Sequence, residues 1–341
     1  MNQTGNDLGL PPVIFGTSGL GNLYVAQPYE VKREILKECI LHSKGKVVFD
    51  SAGKYGAGLA LETLGRCLSE LNVKHDKVII SNKLGWVRTE LTTEEPTFEP
   101  GVWRDLKYDA VQKISYDGIL ECFEQGNELL KGYIPQMVSV HDPDEYLAKA
   151  TSKEEEEKLY NDILDAYRAL FDLKKQGKVT AVGVGAKNWK AIQRVAKDIP
   201  LDWVMIANSM TIKSHPADLL QFMRELESKN ITIINSAVFH GGFLMGGDYC
   251  DYKLVSRDNP DHAPLFHWRD EFFKLCDEFS IKPAEAAVQF AIKMPGVKSL
   301  ALNTTSAKRV KGNYEMVHVP IPSAFWDAMK QRGLLESSFE F

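Results

Sequence analysis

From Val13 to Leu302, short apolar runs rich in β-branched residues alternate with longer stretches whose apolar positions recur at helical spacing. Runs of about four to six residues bounded by turn residues predict strands, and apolar positions three or four apart predict amphipathic helices. The predicted strands are Val13–Phe15, Val47–Asp50, Val78–Ser81, Met137–His141, Ala181–Gly185, Val204–Asn208, Ile231–Asn235 and Ser299–Leu302. Among the helices between them are Tyr29–His42, with Val31, Ile35, Ile40 and Leu41, and Ala60–Leu71, with Leu61, Leu64, Leu68 and Leu71. Alternating strands and helices of this kind predict an α/β protein with parallel strands, and eight such units predict a closed (β/α)8 TIM barrel. A doubly wound open sheet is the alternative with the same local pattern.

Two connections exceed the usual length of a barrel loop: Leu84–Ile114 after the third strand and Phe239–Pro264 after the seventh. In a barrel both leave the C-terminal rim, where they would wall a substrate pocket; surface insertions are the competing reading. No linker rich in Gly, Pro or Ser divides the chain, so residues 1–341 are expected to form a single domain. The acidic run Glu154–Glu157 reads as the solvated start of a helix, where carboxylates favour the N-terminal dipole.

With 341 residues, 44% of them hydrophobic and 26% charged, the chain can bury a large core without staples. The net charge of −5 supplies no basic field for a nucleic-acid or anionic-membrane partner. The five cysteines are scattered and never in a C-x-x-C pair, as expected of a reducing compartment. The N-terminal residues carry neither a basic nor an apolar leader segment, and no apolar run approaches the roughly 18 residues of a membrane span. A cytoplasmic protein is therefore expected. Oligomeric state is not legible. His-x-His, His-Glu-x-x-His and Cys-x-x-Cys spacings are absent, so no metal is expected. Gly183-Val184-Gly185 lacks the third glycine of a dinucleotide fingerprint, and Gly16-Thr17-Ser18-Gly19-Leu20-Gly21 has the wrong order for one.

Candidate chemistry lies at the strand ends. Asp50, Lys83 and His141 stand at or just beyond the C-terminal ends of the second, third and fourth predicted strands, with Tyr55 on the loop after the second. In a barrel they share the rim that carries function. A tyrosine with an ordinary pKa near 10 needs about 4 kcal/mol of phenolate stabilisation to act as an acid/base near neutrality. An ammonium about 4 Å away supplies a term of that order at an effective dielectric near 20. Asp50 would hold Lys83 charged, and His141 would hydrogen-bond a substrate oxygen. Such a set moves protons but not electrons, which implies a nicotinamide cofactor. Taken singly, each residue also reads as a turn or surface group, and the Asp50–Lys83 pair as a structural bridge. Trp86 and Trp103 are candidate apolar walls for a sugar face, or ordinary aromatics.

Phe49-Asp50-Ser51-Ala52-Gly53-Lys54-Tyr55-Gly56 with Glu62-Thr63-Leu64-Gly65, Ser81-Asn82-Lys83-Leu84-Gly85 and Val140-His141-Asp142-Pro143-Asp144 together resemble the aldo-keto reductase family. The resemblance implies a (β/α)8 barrel using NAD or NADP, with Asp50, Tyr55, Lys83 and His141 as catalytic residues; Tyr55 and His141 would then meet substrate, beside the candidate wall Trp86. Ser115-Tyr116-Asp117-Gly118, Gly183-Val184-Gly185 with Trp189, and Ile234-Asn235-Ser236-Ala237-Val238-Phe239 before Gly241-Gly242 are similar to one branch of that family. Its members are the D-threo-aldose, L-fucose and L-galactose 1-dehydrogenases and a pyridoxal 4-dehydrogenase. What this implies is oxidation of the anomeric carbon of a free monosaccharide to a lactone. A carbonyl reductase of the same fold and a nicotinamide-binding regulatory barrel without turnover are the alternatives.

The resemblance further implies a cofactor lined by Ser18, Asp50, Gly185, Asn208, Asn235, Ser236, Val238 and Gly241. Its adenosine end would meet Asn303, Thr304, Thr305, Arg309 and Asn313, where a helix N-terminus favours phosphate. Members that prefer NADP often carry a basic residue where Asn303 stands, which favours NAD here, with Lys308 and Arg309 still available to a 2′-phosphate. Ser306 also reads as a plain N-cap. Gly185-Ala186-Lys187 replaces the usual Ser-Asn carboxamide contact. Asn188 would substitute, or Lys187 would face solvent.

Overall fold

The structure is a computed structural model that describes residues 8–251, 253–337 and 339. Residues 1–7, on which the reading of a leaderless start rests, lie outside them. Twelve strands occur among the described residues: β1 (Val13–Gly16), β2 (Val47–Ala52), β3 (Val78–Leu84), β4 (Trp86–Glu90), β5 (Tyr108–Gln112), β6 (Met137–His141), β7 (Ala181–Ala186), β8 (Trp203–Ala207), β9 (Thr232–Ser236), β10 (Tyr249–Cys250), β11 (Lys253–Leu254) and β12 (Val297–Leu302). Eight of them close in the order β1-β12-β9-β8-β7-β6-β3-β2. The pairing of β1 with both β2 and β12 makes this the predicted barrel rather than an open sheet. The predicted strands and observed ones agree to within a few residues. Asn208, predicted to end a strand, instead leaves β8 in a left-handed turn with φ 60°.

Side chains alternate between the two faces of a strand, and this separates the two cores. Val138, Val140, Val182, Val184, Val204 and Ile206 face outward into the helices, whereas Ile14, Val48, Ile79, Met137, Ala181, Trp203, Met205 and Ile234 form a separate buried cluster. That second cluster is the floor of the barrel interior. Two and four residues further along the same faces stand Asp50, Ser81, Lys83, Ser139, His141, Gly183, Gly185 and Ser236. The interior therefore changes from apolar to polar toward the C-terminal rim.

Gly183 has a steric reason. A Cβ there would lie 2.2 Å from the Trp203 ring, which crosses the barrel beneath the polar layer. Gly185, one layer higher, is less constrained. A Cβ there would sit 3.8 Å from Lys83 Cδ, so the missing side chain leaves room beside the lysine stem.

Both predicted long loops carry structure. The first folds into the antiparallel β4–β5 hairpin, and the second holds a short turn of helix at His240–Met245 followed by the small β10–β11 hairpin. The acidic run begins the helix Lys153–Lys175, whose Ser152 side chain caps the Glu155 amide at 3.1 Å. No helix among the described residues is long and apolar enough to cross a membrane.

Gly183→Ala should cost about 1–3 kcal/mol by overpacking against Trp203. Urea denaturation should show that loss, and Gly183→Ala combined with Trp203→Leu should recover part of it. Equal stability of Gly183→Ala and wild type would contradict the layered interior.

Candidate active site

Strand register brings the predicted residues together. Ala52 is opposite Lys83 and Asp50 opposite Ser81, so a lysine two residues along β3 reaches back over its neighbour to the aspartate of β2. Lys83 Nζ lies 2.5 Å from Asp50 Oδ2 and 3.3 Å from the Ser51 carbonyl, and Ser81 donates to Asp50 Oδ1 at 3.1 Å. Both charged residues are buried, so pairing is what makes their charges tolerable.

Tyr55 sits on the turn after β2, half-buried between the other members of the set. Lys83 Nζ lies 4.8 Å from its ring centroid, and the His141 ring meets it edge-on at 5.5 Å. Trp103 packs on the far side at 5.9 Å, and its indole donates to Glu99 at 2.7 Å. Trp86 contacts Phe98 at 5.8 Å, and its buried indole nitrogen has no partner. Both tryptophans named from the sequence thus wall the Tyr55 side of the mouth.

His141 ends β6 fully buried. Burial, reinforced by the ammonium groups of Lys54, Lys83 and Lys187, holds its pKa well below the ordinary value. The ring is therefore neutral at physiological pH and presents one N–H donor and one acceptor. Nδ1 has no partner, and Nε2 lies 3.3 Å from Asp142 Oδ2.

The sequence reading missed the charged cluster beside this histidine. Lys54, adjacent to Tyr55 and buried, lies 2.7 Å from Glu99, 2.7 Å from Glu145 and 3.6 Å from Asp142. Glu145 also pairs with Lys187 at 2.5 Å. The Lys54 pKa is raised, because three neighbouring carboxylates outweigh its burial. Burial acts against the Glu145 carboxylate, but two ammonium groups outweigh it and hold its pKa low. Asp142 holds the most distant of the three contacts to Lys54 and a left-handed backbone at φ 45°. Burial, only partly opposed by Lys54 and reinforced by Glu145, pushes it up to about 7. The available signal was the run Asp142-Pro143-Asp144-Glu145 after the histidine, four residues that include three acids at a barrel rim.

Lys187 therefore spends its charge on Glu145 although it is partly exposed. Asn188 does not project into the mouth as a free amide: its oxygen caps the following helix by accepting from the Lys190 amide at 3.0 Å. Asn208 differs, since its buried Oδ1 has no partner. Ser236 Oγ donates to the Ile206 carbonyl at 3.3 Å. Asn235 is directed elsewhere, its amide donating to the Met210 carbonyl at 2.8 Å, and the Val238 side chain lies in the outer core.

Gly241 and Gly242 follow one another in left-handed conformations, φ 68° and 99°, and a Cβ on Gly242 would meet nothing within 4 Å. Their loop is clasped by His240, whose Nδ1 lies 2.5 Å from Asp251 and whose Nε2 lies 2.6 Å from Thr211. Cys250 joins His240 and Asp251 with ligand atoms within 4.8 Å of one another, but both ring nitrogens are already engaged. At the end of β12, Asn303 donates to Ser18 Oγ at 2.7 Å and Thr304 Oγ1 accepts from the Ser306 amide at 3.2 Å. The helix Ala307–Met316 then begins without a side-chain cap, with Thr305 and Arg309 exposed and Asn313 buried.

Three comparisons bear on this arrangement. The aldo/keto reductase family profile matches residues 12–332. The chain is 26% identical over 330 residues to a pyridoxal 4-dehydrogenase of Microbacterium luteolum, covering 94% of this chain and 93% of that one. It is 22% identical over 336 residues to a D-threo-aldose 1-dehydrogenase of a Pseudomonas species, covering 96% and 95%. Among solved structures, a glycerol dehydrogenase of Gluconobacter oxydans superposes with a TM-score of 0.69 at 18% identity over 99% of this chain and 98% of that one. A Bacillus halodurans aldo-keto reductase in its holo form gives 0.68 at 15% identity over 96% and 93%.

A carboxyl with a pKa near 7 beside a neutral imidazole predicts a tautomer change. Below that pH the protonated Asp142 donates to Nε2 and the ring proton sits on Nδ1; above it the carboxylate accepts from Nε2–H. Nitrogen-15 shifts of His141 should record this change near pH 7, and Asp142→Asn should abolish it. A His141 spectrum unchanged between pH 5 and pH 9, tested well outside a unit of that midpoint, would contradict the coupling.

Proposed function

The chain belongs to the aldo/keto reductase family, a family of oxidoreductases that use NAD(P)(H), and on that premise we propose that it oxidises the anomeric carbon of a free aldose to a lactone. The observation that carries this reading is the buried Lys83–Asp50 pair, 2.5 Å long, with its ammonium over the Tyr55 ring. Lys83 stabilises the phenolate form of Tyr55, and Tyr55 removes the proton of the anomeric hydroxyl. Asp50 and the Ser51 carbonyl fix the ammonium so that it does not swing toward solvent. His141 is neutral and, with Asp142 ionised, carries its one proton on Nε2; the substrate oxygen replaces Asp142 as acceptor of that N–H, and the ring does not compete for the substrate's proton. The faces of Trp86 and Trp103 suit the C–H face of a sugar ring. Similarity to a D-threo-aldose 1-dehydrogenase and a pyridoxal 4-dehydrogenase supports substrates that close into a hemiacetal.

The residues present fit a nicotinamide nucleotide. The unpartnered Asn208 Oδ1 suits a carboxamide N–H₂, the missing side chain of Gly185 leaves room beside Lys83, and Ser236 stands on the same face. The consecutive left-handed glycines Gly241 and Gly242 let a phosphate approach the backbone closely. Ser18, Asn303, Thr304, Thr305 and Arg309 surround the uncapped helix start, which suits the adenosine end, with Asn313 beneath it. The bound nicotinamide supplies the hydride acceptor. An uncharged Asn303 favours NAD over NADP.

Purified protein should reduce NAD in the presence of at least one of L-fucose, L-galactose, D-arabinose or pyridoxal, read by cofactor fluorescence. Tyr55→Phe should lower kcat about 10²–10⁴-fold with nucleotide affinity unchanged. No reduction with either nucleotide would defeat the sugar reading. Tight nucleotide binding with wild type and Tyr55→Phe equally inactive would favour a regulatory barrel instead.

A further inference from the structure

A cleft of about 400 Å³ lies outside the barrel mouth, between the loop after β1, the helices Tyr29–His42 and Leu59–Glu70, and the β4–β5 hairpin. Its lining is cationic. Lys32, Arg66, Arg88 and Lys107 face it with only Glu62 and Asp105 as carboxylates. Arg88 is engaged by Glu62 at 2.8 Å and by the Ala57 carbonyl at 2.6 Å. Arg66 is engaged by Glu70 at 2.8 Å and lies 3.7 Å from the Tyr29 ring centroid. Lys32 is different: it is only 4% exposed, yet its ammonium has no hydrogen-bond or ion-pair partner among the described residues.

A lysine this enclosed, with no carboxylate in direct contact and only the tip of its ammonium open to solvent, is costly. Burial lowers its pKa, offset only in part by Cys67 and Asp105. A second unmet group shares the cleft. Gln27 donates through Nε2 to the Thr305 carbonyl at 3.0 Å, but its buried Oε1 accepts from nothing. The cleft thus presents a donor cation and an acceptor together, in a volume suited to a small metabolite rather than a lone ion.

We propose that this cleft is a second binding site, distinct from the barrel mouth, for a small hydroxylated oxyanion such as a sugar phosphate or sugar acid. The oxyanion pairs with Lys32, and a ligand hydroxyl donates to Gln27 Oε1. Lys107 and the outer edge of Arg88 add attraction at the entrance. Gly56, which follows Tyr55, forms part of the wall, so an occupant would touch the turn that carries the tyrosine.

The test is calorimetric titration of the full chain, with saturating NAD present, by D-sorbitol 6-phosphate, D-gluconate and uncharged D-sorbitol, none of which has an anomeric hydroxyl for the barrel mouth to oxidise. At least one of the two anions should bind saturably and D-sorbitol should not. Lys32→Met and, separately, Gln27→Leu should each weaken that binding about tenfold, while Lys32→Arg should keep most of it. Which anion binds decides between phosphate and carboxylate. Circular dichroism of each variant establishes that it is folded, and the Gln27 variant carries the test if Lys32→Met is not. Absence of anion binding in the millimolar range, or binding that survives both substitutions, would overturn the proposal.

Discussion

A charged pair can be buried at a barrel mouth only if each partner is held in place, and the Lys83–Asp50 contact meets that condition from every side. Desolvation of an unpaired charge costs several kcal/mol, so the pair, Ser81 and the Ser51 carbonyl form one unit rather than separate contacts. The register of β2 against β3 sets its geometry, and the apolar floor of Ile14, Val48, Ile79, Met137, Trp203 and Ile234 keeps water from below. In the proposed reaction Tyr55 and His141 would act beside this fixed charge. One lies against the ammonium, and the other is kept neutral by burial with three ammonium groups nearby.

Around that unit lies a second, more exposed layer of charge. Lys54 binds the Tyr55 turn to Glu99 of the first long loop and to Glu145 after β6, and Glu145 reaches on to Lys187. Three loops that could otherwise move independently are thus joined at the mouth. On the proposed function, substrate choice would depend on this layer together with Trp86 and Trp103, because the inner residues would serve chemistry common to any hydroxyl they can reach.

The barrel was legible because its strands are short β-branched runs with helical periodicity between them, and a parallel strand buried on both faces leaves that signature. The meeting of Asp50, Tyr55, Lys83 and His141 was legible because three of them stood at or near corresponding strand ends and Tyr55 on the turn after one of those strands. What could not be read was coupling across loops. Nothing in the order Gly53-Lys54-Tyr55 indicates that Lys54 turns inward to meet Glu99 and Glu145, residues 45 and 91 positions away by numbering. The unpaired Lys32 is likewise invisible to pattern, since in sequence it looks like one more charge on an amphipathic helix. Lys187 and Asn188 were legible only as a departure from family pattern, and geometry assigned one to an ion pair and the other to a cap.

The most direct test of the central claim is the pH dependence of single-turnover hydride transfer in wild type and Lys83→Met, measured by stopped flow at saturating nucleotide. If the ammonium held by Asp50 is what makes Tyr55 a base, the wild-type rate rises with pH and levels off. In Lys83→Met the levelling point should then move to higher pH, with a rate at pH 7 lower by about 10² or more. An unchanged profile in the variant, with nucleotide affinity intact, would contradict it.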